Sequence, residues 1–334
     1  MTSYELVVVT HTDLDGVASA AIYYRLAGID PAAPSTALFF TEPHKLYKVL
    51  DTIPRARRLV IADLGPNKGT IELISAKIRE LVNTGVRVEW YDHHRWDESW
   101  LKLIRDAGAK LHVDTSMCAA AVVAKYAPDE LEVDADEFSE KLARITCAAD
   151  LWLWNEYMAG WLYRVVERYR GKKGDEWRRM MVKGFYEGSL WWPELEEALQ
   201  EYIKREFDGF NRSLKSTTVI TAEDCVIAGT LKHPGPPATS IVAAGLLSRY
   251  NADLAVVVRR YGTGLSLSSR RVNVREIAAR LGGGGHPRAA GAPLNMPLLW
   301  KLAALLVPRL KLKWALRAVS SAVRELGGCS RLRL

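Results

Sequence analysis

The sequence predicts an α/β protein whose first half forms a doubly wound, mainly parallel sheet. Short apolar, β-branched runs alternate with segments of helical periodicity, which is the pattern of successive βαβ units. Acidic residues and histidines follow these runs, and in such sheets the functional crevice lies outside the carboxyl ends of the strands. We expect a second, smaller α/β domain further along the chain, with the active-site cleft between the two domains.

The first half contains five candidate strands and the helices that would connect them. A helical, alanine-rich segment occupies residues 17–26. Asn67 can cap a later helix whose apolar residues recur at helical spacing, and Gly85 can end it. The predicted strands lie at residues 5–9, 37–40, 59–62, 87–91 and 110–113.

Carboxylates and histidines follow four of these five strands. A single acidic residue in such a position often caps the next helix, but helix capping does not readily explain the whole set. Carboxylates that share one crevice repel one another unless cations lie among them. The residues are His11, Asp13 and Asp15 after the first strand, Asp63 after the third, Asp92, His93 and His94 at the end of the fourth, and Asp114 after the fifth.

The mixture of ligand types indicates which ion such a crevice would hold. Carboxylate oxygens mixed with imidazole nitrogens suit Mn²⁺ and, less exclusively, Mg²⁺ or Zn²⁺. Two such ions roughly 3.5–4 Å apart would clamp a phosphoryl group and lower the pKa of a bridging water. Asp150 is a further candidate, because it lies in an otherwise apolar helical stretch. A charged residue there is paired, exposed or a metal ligand, and the local pattern leaves these alternatives open.

With these residues, the chain resembles the DHH phosphoesterase superfamily, which includes RecJ-like exonucleases, nano-RNases and cyclic-dinucleotide phosphodiesterases. The matching motifs are His11-Thr12-Asp13-Leu14-Asp15-Gly16, Asp63, Asp92-His93-His94 and Asp150. The resemblance implies two Mn²⁺ ions, one held by His11 and Asp13 and the other by Asp15, His93 and Asp150, with Asp63 bridging them. It also implies that His94 faces the substrate phosphate and that Asp92 orients the histidines.

The second half suggests a connector followed by the smaller domain. We place a metal-binding domain at 1–190, a helical connector at 191–217 and a substrate-binding domain at 218–334. Six tryptophans lie between residues 151 and 192, interleaved with Lys and Arg. Such aromatic residues can stack on nucleic-acid bases or pack in a core, and the sequence leaves both open.

Four consecutive glycines, 282–285, precede His286 in the second domain. Glycine loses much entropy on ordering, so the run needs a reason; close approach of the backbone to a phosphate is one, and a flexible loop is the other. The stretch resembles the glycine-rich His motif of the C-terminal domain found in DHH proteins, and family II inorganic pyrophosphatases carry a different second domain. The resemblance implies substrate contacts by Gly283, Gly284, Gly285, His286, Arg288 and Arg270.

Composition suggests location and partners. No run approaches the ~20 apolar residues of a membrane span, and the start of the chain lacks signal-peptide features, so we expect a cytoplasmic protein. The four widely spaced cysteines predict free or buried thiols in a reducing compartment. From Lys301 onward, eight Lys and Arg residues face one Glu, in a chain whose formal net charge is +7. This basic tail suits nucleic acid, a protein partner or a solvated helix face, and a homodimer is compatible with the sequence.

The resemblance implies a manganese-dependent phosphodiesterase that hydrolyses short single-stranded RNA or DNA through two-metal attack of a bridging hydroxide. A cyclic-dinucleotide phosphodiesterase and a phosphatase of small nucleotides are the enzymatic alternatives. A non-catalytic scaffold of a replication or repair assembly is the alternative from another class, and the intact metal motifs count against it.

Overall fold

The computed structural model describes residues 4–334. The chain forms two compact units, Met1–Leu199 and Gln200–Leu334. No helix within the described residues combines the length and apolar character that a membrane span requires.

The first unit is built on a five-stranded sheet in the order β2-β1-β3-β4-β5, with every pairing parallel. The predicted doubly wound parallel sheet is therefore confirmed. Strand order reverses between β1 and β3, so their carboxyl ends flank the crevice where such sheets bind ligands. The strands are β1 (Tyr4–Thr10), β2 (Thr36–Phe40), β3 (Ala56–Ala62), β4 (Arg87–Asp92) and β5 (Lys110–Val113).

Helices cover both faces of this sheet. Side chains alternate along β1, so Leu6 and Val8 join one apolar cluster while Val7 and Val9 join another. A parallel sheet buried on both faces requires such apolar strands. The helices are α1 (Leu14–Leu26), α2 (Leu46–Leu50), α3 (Ile71–Asn83), α4 (Glu98–Asp106), α5 (Ala119–Leu131), α6 (Glu137–Asp150), α7 (Ala159–Val166) and α8 (Gly171–Tyr186).

The tryptophan-rich segment contributes mainly to packing. Trp154, Trp177, Trp191 and Trp192 are partly buried against the cluster that contains Leu6. The indole of Trp177 also donates to the carbonyl oxygen of residue 165 at 2.8 Å. Core packing, rather than base stacking, therefore accounts for four of the six tryptophans.

Helix α9 (Pro193–Lys215) carries the chain from the first unit into the second. The second unit contains a mixed sheet in the order β10-β11-β9-β8-β7-β6. Strands β7 and β8 pair in parallel and the other neighbours are antiparallel. Its strands are β6 (Thr218–Ala222), β7 (Cys225–Lys232), β8 (Leu254–Arg259), β9 (Gly264–Ser268), β10 (Gly284–Gly285) and β11 (Ala289–Pro293).

Four helices complete the second unit. Apolar residues of α11 and α13 share one cluster with the sheet, and those of α10 share another. The smaller α/β domain is thus a sheet with helices on both faces. The helices are α10 (Thr239–Arg249), α11 (Val274–Arg280), α12 (Leu298–Leu306) and α13 (Arg309–Glu325).

The cysteines form two disulfides, so the expectation of free or buried thiols was wrong. Cys118 and Cys147 are joined at an S–S distance of 2.07 Å, and Cys225 and Cys329 at 2.10 Å. The partners are 29 and 104 residues apart, and packing of α5 on α6 and of the chain end beside β7 brings them together. With both pairs oxidised, cysteine usage no longer supports a reducing compartment.

Candidate metal centre

The loop after β1 brings His11 and Asp13 to the carboxyl edge of the first sheet. Asp13 Oδ1 accepts from the Gly16 N–H at 3.1 Å and so caps α1. Its other oxygen, Oδ2, lies 2.8 Å from His11 Nδ1. One oxygen of Asp13 therefore serves the helix, and the other faces the crevice.

Asp15 has a similar double role. Its carboxylate is buried and accepts from the N–H groups of Ala119 and Ala120, each at 2.7 Å, at the start of α5. Oδ2 also lies 3.6 Å from His93 Nε2. Helix capping, the simpler explanation for acidic residues after strands, is thus correct for Asp13 and Asp15 and compatible with their place in the cluster.

Asp63 lies at the centre of the cluster. It follows β3 with a φ of 54°, a left-handed conformation that Asp tolerates better than most side chains. Oδ1 lies 3.5 Å from His93 Nε2, and Oδ2 lies 3.6 Å from His11 Nδ1. Oδ2 is buried and makes no hydrogen bond within residues 4–334. The two oxygens of one carboxylate therefore face two different histidines.

Asp150, the last residue of α6, completes the arrangement around His93. Its Oδ2 lies 3.7 Å from His93 Nε2, and its side chain is 25% exposed. Three groups of residues place one ligand atom each within 4.8 Å of one another. They are His11 with Asp13 and Asp63; Asp15 with His93 and Asp150; and Asp63 with His93 and His94.

Asp92 holds His94 in place. It is fully buried at the end of β4, where Oδ1 lies 2.8 Å from His94 Nδ1. Its other oxygen accepts from the Trp96 indole N–H at 2.6 Å. His94 itself is 42% exposed, so its remaining ring nitrogen, Nε2, is left for a ligand.

Gly65 and Trp96 at this site were missed by sequence reasoning, whereas Gly16 was quoted as the last residue of the first motif. A Cβ at Gly65 would lie 2.7 Å from His94 Cγ, so glycine leaves room for that ring. A Cβ at Gly16 would lie 2.4 Å from the His11 carbonyl oxygen. This close approach explains why the first motif ends in glycine. Gly65 and Trp96 had no local signal.

Glu42 and Arg178 support the same loop and were also missed. Glu42 Oε2 lies 3.3 Å from His11 Nε2, and Oε1 accepts from the Thr12 hydroxyl at 3.2 Å. The buried Arg178 donates from Nε to the Thr12 carbonyl oxygen. Glu42 follows the end of β2, so the search for acidic residues after strands could have found it. Arg178 belongs to α8, and nothing in the sequence connects that helix to this loop.

The electrostatics of the cluster are those of crowded, buried carboxylates. Burial and the charge of neighbouring acids raise the pKa of Asp15 and Asp63 above the usual carboxyl range. Burial alone would lower the pKa of His11, but the neighbouring carboxylates of Asp13 and Asp63 outweigh this and raise the pKa to about 12. Burial would likewise lower the pKa of His94, and Asp92 raises it. Acidic charge therefore exceeds what the nearby histidines offset.

These residues fit divalent cations. Carboxylate oxygens and imidazole nitrogens converge, and the buried Asp63 Oδ2 has no hydrogen-bond donor. A buried carboxylate oxygen without a donor is costly, and a cation would remove that cost. Asp114 lies outside these groups: Ser116 and Lys125 bond to its carboxylate and lower its pKa to about 2.

The glycine run of the second unit forms a tight hairpin, which we call the glycine–histidine hairpin (residues 283–291). Gly284 lies opposite Gly291, and Gly285 lies opposite Ala290. A Cβ at Gly283 would lie 2.0 Å from the Gly291 carbonyl oxygen, so close strand approach explains that glycine. A Cβ at Gly284 would meet nothing within 4 Å. Packing therefore explains part of the run and leaves open space beside Gly284.

His286 and Arg288 lie in the exposed turn of this hairpin. The His286 N–H donates to the Ala289 carbonyl oxygen at 2.8 Å. The Ser269 N–H donates to the Arg288 carbonyl oxygen at 3.1 Å, which places the chain around Arg270 beside the turn. Arg270 is exposed, and its guanidinium donates to the Ser248 hydroxyl at 2.8 Å. The predicted substrate residues thus share one end of the second sheet.

Comparison with known proteins agrees with this architecture. Residues 224–306 match the family model described as the DHHA1 domain. No curated protein matches the sequence. The family match lies entirely within the second unit and includes the glycine–histidine hairpin.

Several solved structures share the fold of nearly the whole chain. The pGpG-specific phosphodiesterase PggH from Vibrio cholerae is 13% identical, with 92% of this chain and 99% of that chain covered and a TM-score of 0.58. RecJ from Thermus thermophilus, in complex with Mn²⁺, is 16% identical over 96% of this chain and 52% of that chain, with a TM-score of 0.59. This chain thus spans about half of that RecJ. An exonuclease RecJ bound to manganese is 17% identical over 98% and 94% of the two chains, with a TM-score of 0.51.

At identities this low, these similarities show a common fold and nothing more. The sequence match to the DHHA1 domain is separate evidence and concerns the second unit. The chain therefore shares the fold of the RecJ and PggH structures, and residues 224–306 of its second unit match the DHHA1 domain.

Proposed function

We propose that the protein is a metal-dependent phosphodiesterase that hydrolyses short single-stranded nucleic acid, with Mn²⁺ as its ion. The observation that carries the proposal is the buried Asp63, whose two oxygens face His11 and His93. Proteins with this fold are described as a pGpG-specific phosphodiesterase and as an exonuclease bound to manganese, which supports both the reaction and the ion.

In this proposal the cluster holds two ions. His11 and Asp13 would hold one, Asp15, His93 and Asp150 the other, and Asp63 would bridge them. Bound cations supply an activated water and offset the negative charge that develops on the phosphoryl oxygens.

The chain's own residues would position and neutralise the substrate. Helix caps fix the carboxylates of Asp13 and Asp15 before any ligand arrives, which is the preorganisation that precise ligand geometry requires. His94 donates from Nε2 to a phosphate oxygen, because Asp92 occupies Nδ1 and raises the pKa of the ring. Asp92 thereby acts through His94 as a positioning residue.

We assign recognition of the nucleotide to the glycine–histidine hairpin. The open space beside Gly284 lets a phosphate approach the backbone, and His286 and Arg288 supply exposed donors at the turn. Arg270, beside the turn, would add a further charge-assisted hydrogen bond. This division gives bond breaking to the first unit and substrate choice to the second.

A dinucleotide is the second candidate substrate. The similarity to a pGpG-specific phosphodiesterase covers 92% of this chain and 99% of that one. A cyclic-dinucleotide phosphodiesterase would use the same ions on the same type of bond, and a small-nucleotide phosphatase would use them on a phosphomonoester. A scaffold without activity would have no use for the converging ligand groups.

One experiment tests the proposal. The protein is incubated with end-labelled RNA and DNA of graded length and with cyclic and linear dinucleotides, in Mn²⁺, in Mg²⁺ or in EDTA. We expect Mn²⁺-dependent release of short products from single strands, and the same preparation of Asp63→Asn should release none. Absence of hydrolysis of every substrate in both metals would refute the proposal.

A further inference from the structure

A basic groove runs along the exposed face of α13 and beside β6 in the second unit. It encloses about 880 Å³ and is lined by no acidic side chain. We define the basic groove by its five cationic residues, Lys215, Arg309, Lys313, Arg317 and Arg324. Neither the metal cluster nor the glycine–histidine hairpin includes any of them.

Three of these cations form a regular row. Arg309, Lys313 and Arg317 follow one another at intervals of four residues on α13, so they lie on one helix face about 6 Å apart along the axis. All three are exposed. That interval is comparable to the separation of successive phosphates in an extended single strand.

Most of this positive charge is not offset by the protein. Within residues 4–334, no carboxylate forms an ion pair with Lys215, Arg309, Lys313 or Arg317, and Glu223 lies 4.0 Å from Arg324. Arg309 also stands in the first turn of α13, where the helix dipole disfavours a cation. Like charges held together without counter-charges favour binding of an anion.

A buried hydroxyl gives a second, independent indication of a ligand. Ser320 lines the groove, is 7% exposed, and its Oγ has no hydrogen-bond partner within the described residues. A buried, unsatisfied hydroxyl is costly, so such groups in native proteins call for an explanation. Rotation of the Ser320 side chain toward the groove would let a phosphate oxygen accept from its hydroxyl.

We propose that the basic groove binds the phosphodiester backbone of single-stranded nucleic acid, so that strands longer than a dinucleotide bind more tightly. The row of cations matches a linear polyanion, and the partly buried side chains of Ile220 and Leu310, which line the groove, offer an apolar surface for sugars and bases. A flat anionic membrane would not reach the buried Ser320. The substrate class, though not the groove, rests on the proposed function.

The test compares binding of fluorescein-labelled oligo(dT) and oligo(U) of graded lengths, by anisotropy in EDTA over a series of KCl concentrations. Lys313→Glu with Arg317→Glu should weaken binding of the long strands roughly tenfold or more, and the log–log salt slope should become shallower by about 1.4, or roughly 0.7 for each lost phosphate contact. Ser320→Ala should weaken binding about twofold, with the salt slope unchanged, because it removes no charge.

The control is Arg57→Glu with Arg79→Glu, which changes the net charge equally through exposed residues of the first unit. It should bind long strands nearly as the parent does. Equal loss in the two double variants would reduce the effect to net charge and overturn the proposal. The proposal would also be overturned if the parent protein bound phosphatidylserine vesicles in preference to single strands and the groove variant lost that binding. Thermal melting confirms that each variant is folded.

Hydrolysis of bis(p-nitrophenyl) phosphate in Mn²⁺ separates this proposal from the proposed function. The groove variant should keep the parent's rate, since no groove residue belongs to the metal cluster. If the parent protein binds strands but hydrolyses no substrate, the proposed phosphodiesterase activity is refuted and the proposed role of the basic groove stands. If the parent protein hydrolyses substrate and the groove variant binds long strands as tightly as the parent does, only the proposed role of the basic groove is refuted.

Discussion

The carboxyl edge of the first sheet and the glycine–histidine hairpin of the second differ in nearly every physical respect. At the first, buried carboxylates repel one another and are held in place by helix caps. At the second, the backbone is exposed, and close strand approach requires glycine at Gly283 and at Gly285, where a Cβ would lie 2.7 Å from Ala290 Cα. A buried cluster has fixed geometry and high charge density, which suits bond breaking, whereas an exposed hairpin suits recognition of variable ligands.

The largest expected effect comes from the centre of the buried cluster. Asp63→Asn keeps the size of the side chain but removes the charge that faces both His11 and His93. We expect Mn²⁺-dependent hydrolysis to fall at least about a thousandfold, or about 4 kcal/mol of transition-state stabilisation. Calorimetric titration with Mn²⁺ should show weaker binding. Asp114→Asn is the matched control; a similar loss there would remove the distinction between the cluster and other strand-end acids.

His286→Ala tests whether recognition belongs to the second unit. We expect kcat/KM for oligonucleotides to fall roughly 10- to 100-fold, because a charge-assisted donor to phosphate is lost. The rate with bis(p-nitrophenyl) phosphate should stay close to that of the parent, since a small ester has no nucleotide to bind. Equal losses with both substrates would place His286 outside substrate recognition.

Asp92→Asn tests the positioning of His94. The amide cannot hold the ring as the carboxylate does, and loss of such supporting contacts typically costs about 10- to 100-fold in activity; we expect the lower end, because the metal ligands themselves remain. The pH–rate profile should shift at the same time, since the carboxylate raises the pKa of His94. Trp96→Phe removes the other partner of Asp92 and should leave that profile unchanged. A profile unaltered by Asp92→Asn would contradict the positioning role.

The smallest effect concerns the stability of the metal-free protein. The pKa values of Asp15 and Asp63 are raised in the folded chain, so folding binds protons, and the free energy of unfolding decreases as pH rises from about 4 through those raised values. Urea denaturation at several pH values in EDTA should show this decrease, and Asp63→Asn should flatten it. Mn²⁺ should restore stability at neutral pH. Stability that rises with pH over this range in EDTA, with no difference in Asp63→Asn, would contradict the self-repelling cluster.

Several features followed from local sequence alone. Alternation of apolar runs and helical segments predicts a parallel sheet, because the spacing of apolar residues within each segment indicates whether it is a strand or a helix and which of its sides is buried. Because the carboxyl ends of parallel strands lie at the same edge of a sheet, the sequence also predicted that His11, Asp63 and His93 lie close together. The glycine run indicated an unusual backbone, although its tight strand pairing was not anticipated.

Other features were decided by packing between distant segments. Gly65 makes room for His94, and Arg178 supports the loop of Thr12 from a helix more than 150 residues further along the chain. The disulfides join cysteines 29 and 104 residues apart. The basic tail was visible as composition, but only the fold arranges its cations into a row beside Lys215 and the buried Ser320. The local sequence pattern indicates whether a residue is buried or exposed, because it depends only on neighbouring residues. Tertiary packing decides which residues from distant segments contact it.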